Sequence, residues 1–163
     1  MILCVIIHKN KNTMDMKIEL LKKIITDNRR LISRIEYIER DIILDDNLNY
    51  VFVGLRQAGK SYLMYQRIHQ LLRDGHQMDE IVYVNLDDER LFDITLDDLD
   101  LILQAHYQLN DCKPIIFLDE IQNIAGWEKF ARRVADQKYK VFITGSNAYM
   151  LSNEMQTTLG GRF

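Results

Sequence analysis

Residues 54–61 read Gly54-Leu-Arg-Gln-Ala-Gly59-Lys60-Ser61, which satisfies the pattern G-x-x-x-x-G-K-[ST]. The loop sits between an apolar run, Tyr50-Val-Phe-Val53, and a stretch of helical periodicity. A strand, a glycine-bearing loop and a helix in that order constrain the fold more than any other feature, because such a unit belongs to a sheet of parallel strands joined by helical crossovers. The glycines let the backbone curl until consecutive N–H groups face one anion. The helix that follows directs the positive end of its dipole to the same point. Gly54, Arg56, Gln57, Ala58, Gly59, Lys60, Ser61 and Tyr62 are therefore the candidate nucleotide-binding residues. Lys60 is long enough to reach between the β- and γ-phosphates, and Ser61 can offer an oxygen to Mg²⁺.

The chain beyond the loop continues the alternation. Leu63, Tyr65, Ile68, Leu71 and Leu72 share one face of a helix over 61–73, with Gly75 placed to stop it. Ile81-Val-Tyr-Val-Asn-Leu86 is short and β-branched, which predicts a buried strand. Thr95-Leu-Asp-Asp98 is a capping box opening a helix to about Leu109. Further strands are expected over 114–118 and 139–144, with a helix over 127–135 between them. Phe117, Trp127 and Phe142 read as core or interface anchors. Near-continuous apolar strands alternating with helices predict an α/β protein: a mainly parallel sheet covered on both faces, in three α/β/α layers.

Four apolar residues lead into a pair of acids at Ile115-Ile-Phe-Leu-Asp119-Glu120. In a parallel sheet those carboxylates emerge at the C-terminal end of a central strand, on the side of the phosphate loop. Asp119 is the candidate Walker B ligand of Mg²⁺, acting through water, and Glu120 the group that orients and deprotonates an attacking water. Adjacent acids also favour a hydrolase over a kinase, which must exclude water. Val84-Asn-Leu-Asp87-Asp88-Glu89 is a rival that leaves Asp87 as a second candidate near the metal, although its apolar run is less clean. The strand over 139–144 ends in Thr144-Gly145-Ser146-Asn147, where Ser146 or Asn147 could contact the γ-phosphate or the water.

Other chemistries find less support. The formal net charge of −3 in 163 residues carries no overall nucleic-acid signature. No apolar run approaches the ~18 residues a bilayer span requires. Cys4 and Cys112 form no C-x-x-C pair, and His8, His69, His76 and His106 lack ligand spacing. A reduced cytoplasm is the expected compartment, and no N-K-x-D segment supports guanine recognition.

Ahead of the loop, residues 1–15 form an extension in which Ile2-Leu-Cys-Val-Ile-Ile7 reads either as an edge strand or as sequence upstream of a true start at Met14 or Met16. Residues 16–47 form a helical segment, with Leu21, Ile24, Ile25, Ile32, Ile35 and Ile38 at spacings of three, four and seven up to about Ile43. Arg29, Arg30, Arg34 and Arg40 offer a basic patch for nucleic acid or, the favoured reading, a solvated helix face balanced by Asp27, Glu36, Glu39 and Asp41.

The order of loop, Asp-Glu pair and polar-tipped strand resembles that of the AAA+ superfamily of P-loop ATPases, and more narrowly its AAA-14 group. The resemblance rests on Arg56 in the loop and on the segments VNLDDERL, LDEIQNIAGWEKF, VFITGSNAYML and LGGRF, and covers roughly residues 16–163. It implies an ATP-hydrolysing switch with Mg²⁺, in which Lys60, Ser61, Asp119, Glu120 and Ser146 take the family's functional positions. It also implies a fifth strand and a helical lid after Gly-Arg-Phe, which residues 48–163 are expected to lack. Arg162 is the candidate for an arginine acting in trans on a neighbouring subunit. A homo-oligomer or a further C-terminal domain is thus the expected partner, besides the nucleotide.

Overall fold

The computed structural model describes residues 2–146 and 159–163, with side chains from residue 12 onward. Eight principal elements follow in the order α1 (Ile2–Ile32), β1 (Tyr50–Val53), α2 (Lys60–Arg73), β2 (Ile81–Asn85), α3 (Leu99–Leu109), β3 (Ile115–Asp119), α4 (Trp127–Asp136) and β4 (Lys140–Gly145). Short 3₁₀ turns join several of them. Among the described residues the four strands form one sheet in the order β1-β4-β3-β2. All three pairings are parallel, with Val53 opposite Gly145, Phe117 opposite Phe142, and Asn85 opposite Asp119. The expected α/β architecture is thus present.

Alternation along the strands divides the core between two faces. Val82, Val84, Ile116, Leu118, Val141 and Ile143 point to the side covered by α1, α3 and α4. Ile81, Tyr83, Ile115, Phe117 and Phe142 point to the side covered by α2, where Met64, Ile68 and Leu71 meet them. Phe117 and Phe142 stack with their rings 4.6 Å apart, and Trp127 is buried on the first face. These three aromatics are core anchors, as their patterning predicts.

Two expectations about the N-terminal region need correction. Residues 2–7 belong to α1 rather than to an edge strand. That helix then ends at Ile32, not near Ile43, and residues 33–49 run as an irregular strap across α2. The apolar spacing persists past Ile32, but Ile38 and Ile43 are exposed, and Ile35 and Leu44 are the strap residues that pack against the core. Tertiary pairing overrides the helical pattern there: Arg40 and Gln66 exchange two hydrogen bonds between the strap backbone and the side-chain amide of α2.

Nor is α1 an appendage. Ile18, Leu21, Ile24 and Ile25 are buried in the same core as the sheet. Asn28 donates to the Tyr83 carbonyl at 3.0 Å and Arg29 to that of Ile81 at 2.9 Å, so α1 satisfies the outer edge of β2. Arg29 is therefore not part of a solvated basic face, as its helix pattern suggests. Among the described residues no helix is long and apolar enough to cross a membrane.

Candidate nucleotide site

The site forms at the C-terminal ends of β1, β3 and β4. Gly54 N–H reaches the Gly145 carbonyl, and the loop then turns through Gln57 and Gly59, both in the left-handed region with φ of 61° and 78°. Gly59 caps α2, so the first helical residues, Lys60 and Ser61, directly follow the turn. A Cβ at Gly59 would strike the Arg40 guanidinium, which gives this position a second reason to be glycine. Lys60 is buried and donates to the carbonyls of Gly54 at 3.1 Å and Leu55 at 2.9 Å. Its Nζ also lies 3.8 Å from Glu120 Oε1.

Asp119 is fully buried at the end of β3. Tyr83 donates to its Oδ2 at 2.6 Å, and Thr144 donates to its Oδ1. Burial, with the nearby Asp119 charge, raises the Tyr83 hydroxyl far above the usual phenol range. Tyr83 therefore remains a donor throughout the pH range in which the fold is handled. Thr144 also accepts from the Glu120 backbone N–H at 3.0 Å, tying both acids to the tip of β4.

Glu120 has φ of 54° and ψ of 45°, a left-handed conformation that costs a non-glycine residue ~1 kcal/mol or more. The turn swings its carboxylate out of the strand. Ser146 donates to Oε2 at 2.9 Å and Gln122 at 2.6 Å, while Oε1 faces Lys60. Ser146 thus joins the acid pair, whereas Asn147 lies outside the described residues.

The remaining candidates occupy the rim or lie elsewhere. Arg56 is exposed and lies 3.8 Å from Asp87, which also accepts from Asn123. The rival acid therefore faces the loop arginine, while Asp119 holds the buried position. Ala58 accepts a hydrogen bond from Arg40 at 3.1 Å. Tyr62 is half exposed, edge-on to Tyr65, and with Glu36, Tyr37, Ile38 and Arg40 bounds a cavity of about 520 Å³. Arg162 lies at the opposite, N-terminal end of the strands, beside the residues that lead into β1 and β4, paired with Asp136 at 2.5 Å and holding Asn49 through its carbonyl. Any action of Arg162 on a phosphate would therefore be on a second molecule.

Three participants escape a reading of the sequence alone. Tyr83 carries a faint signal as the one hydroxyl in an apolar strand, and Thr144 lies in the polar cluster but beneath Ser146. Gln122 has no signal. Among the described residues no cluster of His, Cys, Asp and Glu forms a metal site of its own. The histidines fit structural roles: His69 meets the Ile32 carbonyl, His76 meets Glu80, and His106 is buried against the Cys112 carbonyl. A curled loop with its lysine beside Glu120, next to a buried Asp119 held by two hydroxyls, is a donor set that suits a nucleotide with a divalent cation.

Comparison with known proteins agrees with this geometry. The AAA domain family (AAA_14) matches residues 46–163. The uncharacterized protein MJ1544 of Methanocaldococcus jannaschii is 37% identical over 145 residues, covering 88% of this chain and 32% of its own length. An uncharacterized protein of Haemophilus influenzae is 33% identical over 140 residues, covering 83% and 35% respectively. The chain therefore spans about a third of the length of these curated relatives. No solved structure matches it. A family match over most of the chain, on a parallel sheet with this loop at its C-terminal edge, means that the chain belongs to the AAA domain family, a P-loop ATPase-like group associated with nucleotide binding.

Proposed function

We propose that this chain binds Mg-ATP at residues 54–61 and hydrolyses it to ADP and phosphate, using the cycle as a conformational switch. The observation that carries the reading is the position of Glu120, whose carboxylate faces Lys60 on one side and is held by Ser146 and Gln122 on the other. Backbone N–H groups of the loop and the start of α2 receive the phosphates, and Lys60 adds charge where the β- and γ-phosphates lie. Bound Mg²⁺ would offset the negative charge of those phosphates. Ser61 would hold it directly and Asp119 through water, since each Asp119 oxygen already accepts one hydroxyl and keeps a lone pair for another donor. Glu120 would accept a proton from the attacking water, with Ser146 sensing the γ-phosphate through the same carboxylate. The preference for adenine rests on family membership.

The alternative is a module that binds nucleotide without turnover. Glu120→Gln separates the two, because it keeps the shape and the neighbours of the side chain but cannot take a proton. Steady-state phosphate release should fall by at least about a hundredfold while Mg-ATP affinity stays within a few-fold. Phosphate release from the wild-type chain no faster than from the variant would favour the non-hydrolysing module. Loss of binding in Lys60→Ala checks that the loop is the site.

A further inference from the structure

We propose that Arg40, which lies outside the loop motif on the strap, is a nucleotide-contacting residue that presents its guanidinium to the phosphate chain beside Ala58 and Gly59. The inference deepens the nucleotide reading above and rests on it. Three observations carry it. The guanidinium donates to the Ala58 carbonyl at 3.1 Å, so it lies on the loop while remaining open to solvent. The backbone of Arg40 is clamped from both sides, its N–H donating to Gln66 Oε1 at 2.9 Å and its carbonyl accepting from Gln66 Nε2 at 2.8 Å. Gln66 itself is buried, so the clamp is fixed to α2, the helix that opens with Lys60 and Ser61. Finally, the guanidinium packs over the Cα of Gly59, in space that any side chain there would fill.

The charges around the loop single out this arginine. Lys60 is engaged by two carbonyls and Glu120, and Arg56 lies beside Asp87. Arg40 has no carboxylate within ion-pair distance among the described residues, and the Ala58 carbonyl takes only one of its five N–H donors. A guanidinium with unspent donors, on a backbone clamped beside a phosphate loop, is suited to the oxygen of a phosphate. Arg40 and Tyr62, the residue after Ser61, also bound one cavity beside the start of α2. The strap thereby becomes one wall of the site.

The test compares the wild-type chain with Arg40→Ala, Arg40→Lys and Lys60→Ala, measuring Mg-ADP affinity by calorimetry and Tm with and without Mg-ADP. Arg40→Ala should weaken Mg-ADP about tenfold to a hundredfold, with the nucleotide-induced rise in Tm reduced but the nucleotide-free Tm nearly unchanged. Arg40→Lys should recover part of the affinity, since it restores charge without the fork. Three results would overturn the inference. Arg40→Ala binding within about twofold of wild type, while Lys60→Ala does not bind, removes Arg40 and leaves the nucleotide reading intact. A loss of affinity matched by an equal loss of nucleotide-free stability, with lysine no better than alanine, reduces Arg40 to a structural staple. Failure of the wild-type chain to bind Mg-ADP removes the nucleotide reading and this inference together.

Discussion

Thr144 illustrates how much one buried hydroxyl can organise. It donates to Asp119 and accepts from the backbone of Glu120, so a single side chain aligns both acids against β4. Replacing it by valine keeps the shape but leaves a buried carboxylate oxygen and a backbone N–H without that partner. Thr144→Val should cost about 1–3 kcal/mol, read as a lower urea midpoint at unchanged m-value. It should also lower phosphate release more than it lowers Mg-ADP affinity, because the acids rather than the loop lose their support. Equal stability in wild type and variant would mean that the described contacts contribute nothing. Glu120 is held in a strained backbone conformation in the same place, and the bonds to its N–H and carboxylate oppose relaxation.

At the scale of elements, α1 covers an edge. The outer carbonyls of β2 would otherwise offer a template for another strand, and Asn28 and Arg29 occupy those at Tyr83 and Ile81. Arg29 also donates to the Asp79 carbonyl at 2.7 Å, extending the cover to the turn before β2. The double substitution Asn28→Ala/Arg29→Ala should therefore lose about 2–3 kcal/mol and associate more readily, checked by urea denaturation and light scattering. A variant that stays as stable and as disperse as the parent would show that apolar packing of α1 alone suffices. The helical signal of α1 is legible in Leu21, Ile24 and Ile25, but its end is not. Ile35 and Ile38 continue the spacing, and contacts of the strap with α2, the pairing of Arg40 with Gln66 and of Asp46 with Arg67 among them, hold the chain out of the helix.

The whole molecule carries a pH dependence that its parts make separable. Burial holds the His106 ring below its ordinary value, against the Cys112 carbonyl that favours protonation, and the charge of Arg29 acts in the same direction as burial. The folded chain therefore gives up this proton more readily than the unfolded chain. The His106 contribution is complete above about pH 6.5 and declines as the pH falls toward the lowered value. Carboxylates behave differently: Arg67 beside Asp46 and Arg90 beside Asp88 hold those acids below the usual range, so their contributions fade only below about pH 4. Melting temperatures across this range should fall in two steps, and His106→Gln should remove the upper one while sparing the lower. An upper step that survives in the variant would assign it to another group.

What the sequence by itself determined was periodicity and local chemistry. The strand before Gly54, the helix after Gly59, the capping box at Thr95 and the Asp119-Glu120 pair are local patterns, and each stands where its spacing predicts. Burial of alternating residues then leaves a parallel α/β sheet as the way to cover both faces. Long-range partners were decided by the tertiary structure alone. Tyr83 meets Asp119 across 36 residues, Thr144 meets it across 25, and Gln66 meets Arg40 across 26. Arg162, expected as a trans-acting group, lies at the N-terminal ends of β1 and β4, away from the loop in its own molecule. Hydrogen-bond partners at such separations depend on strand order and on which face each element buries, and those follow from packing the whole chain at once rather than from any window of residues.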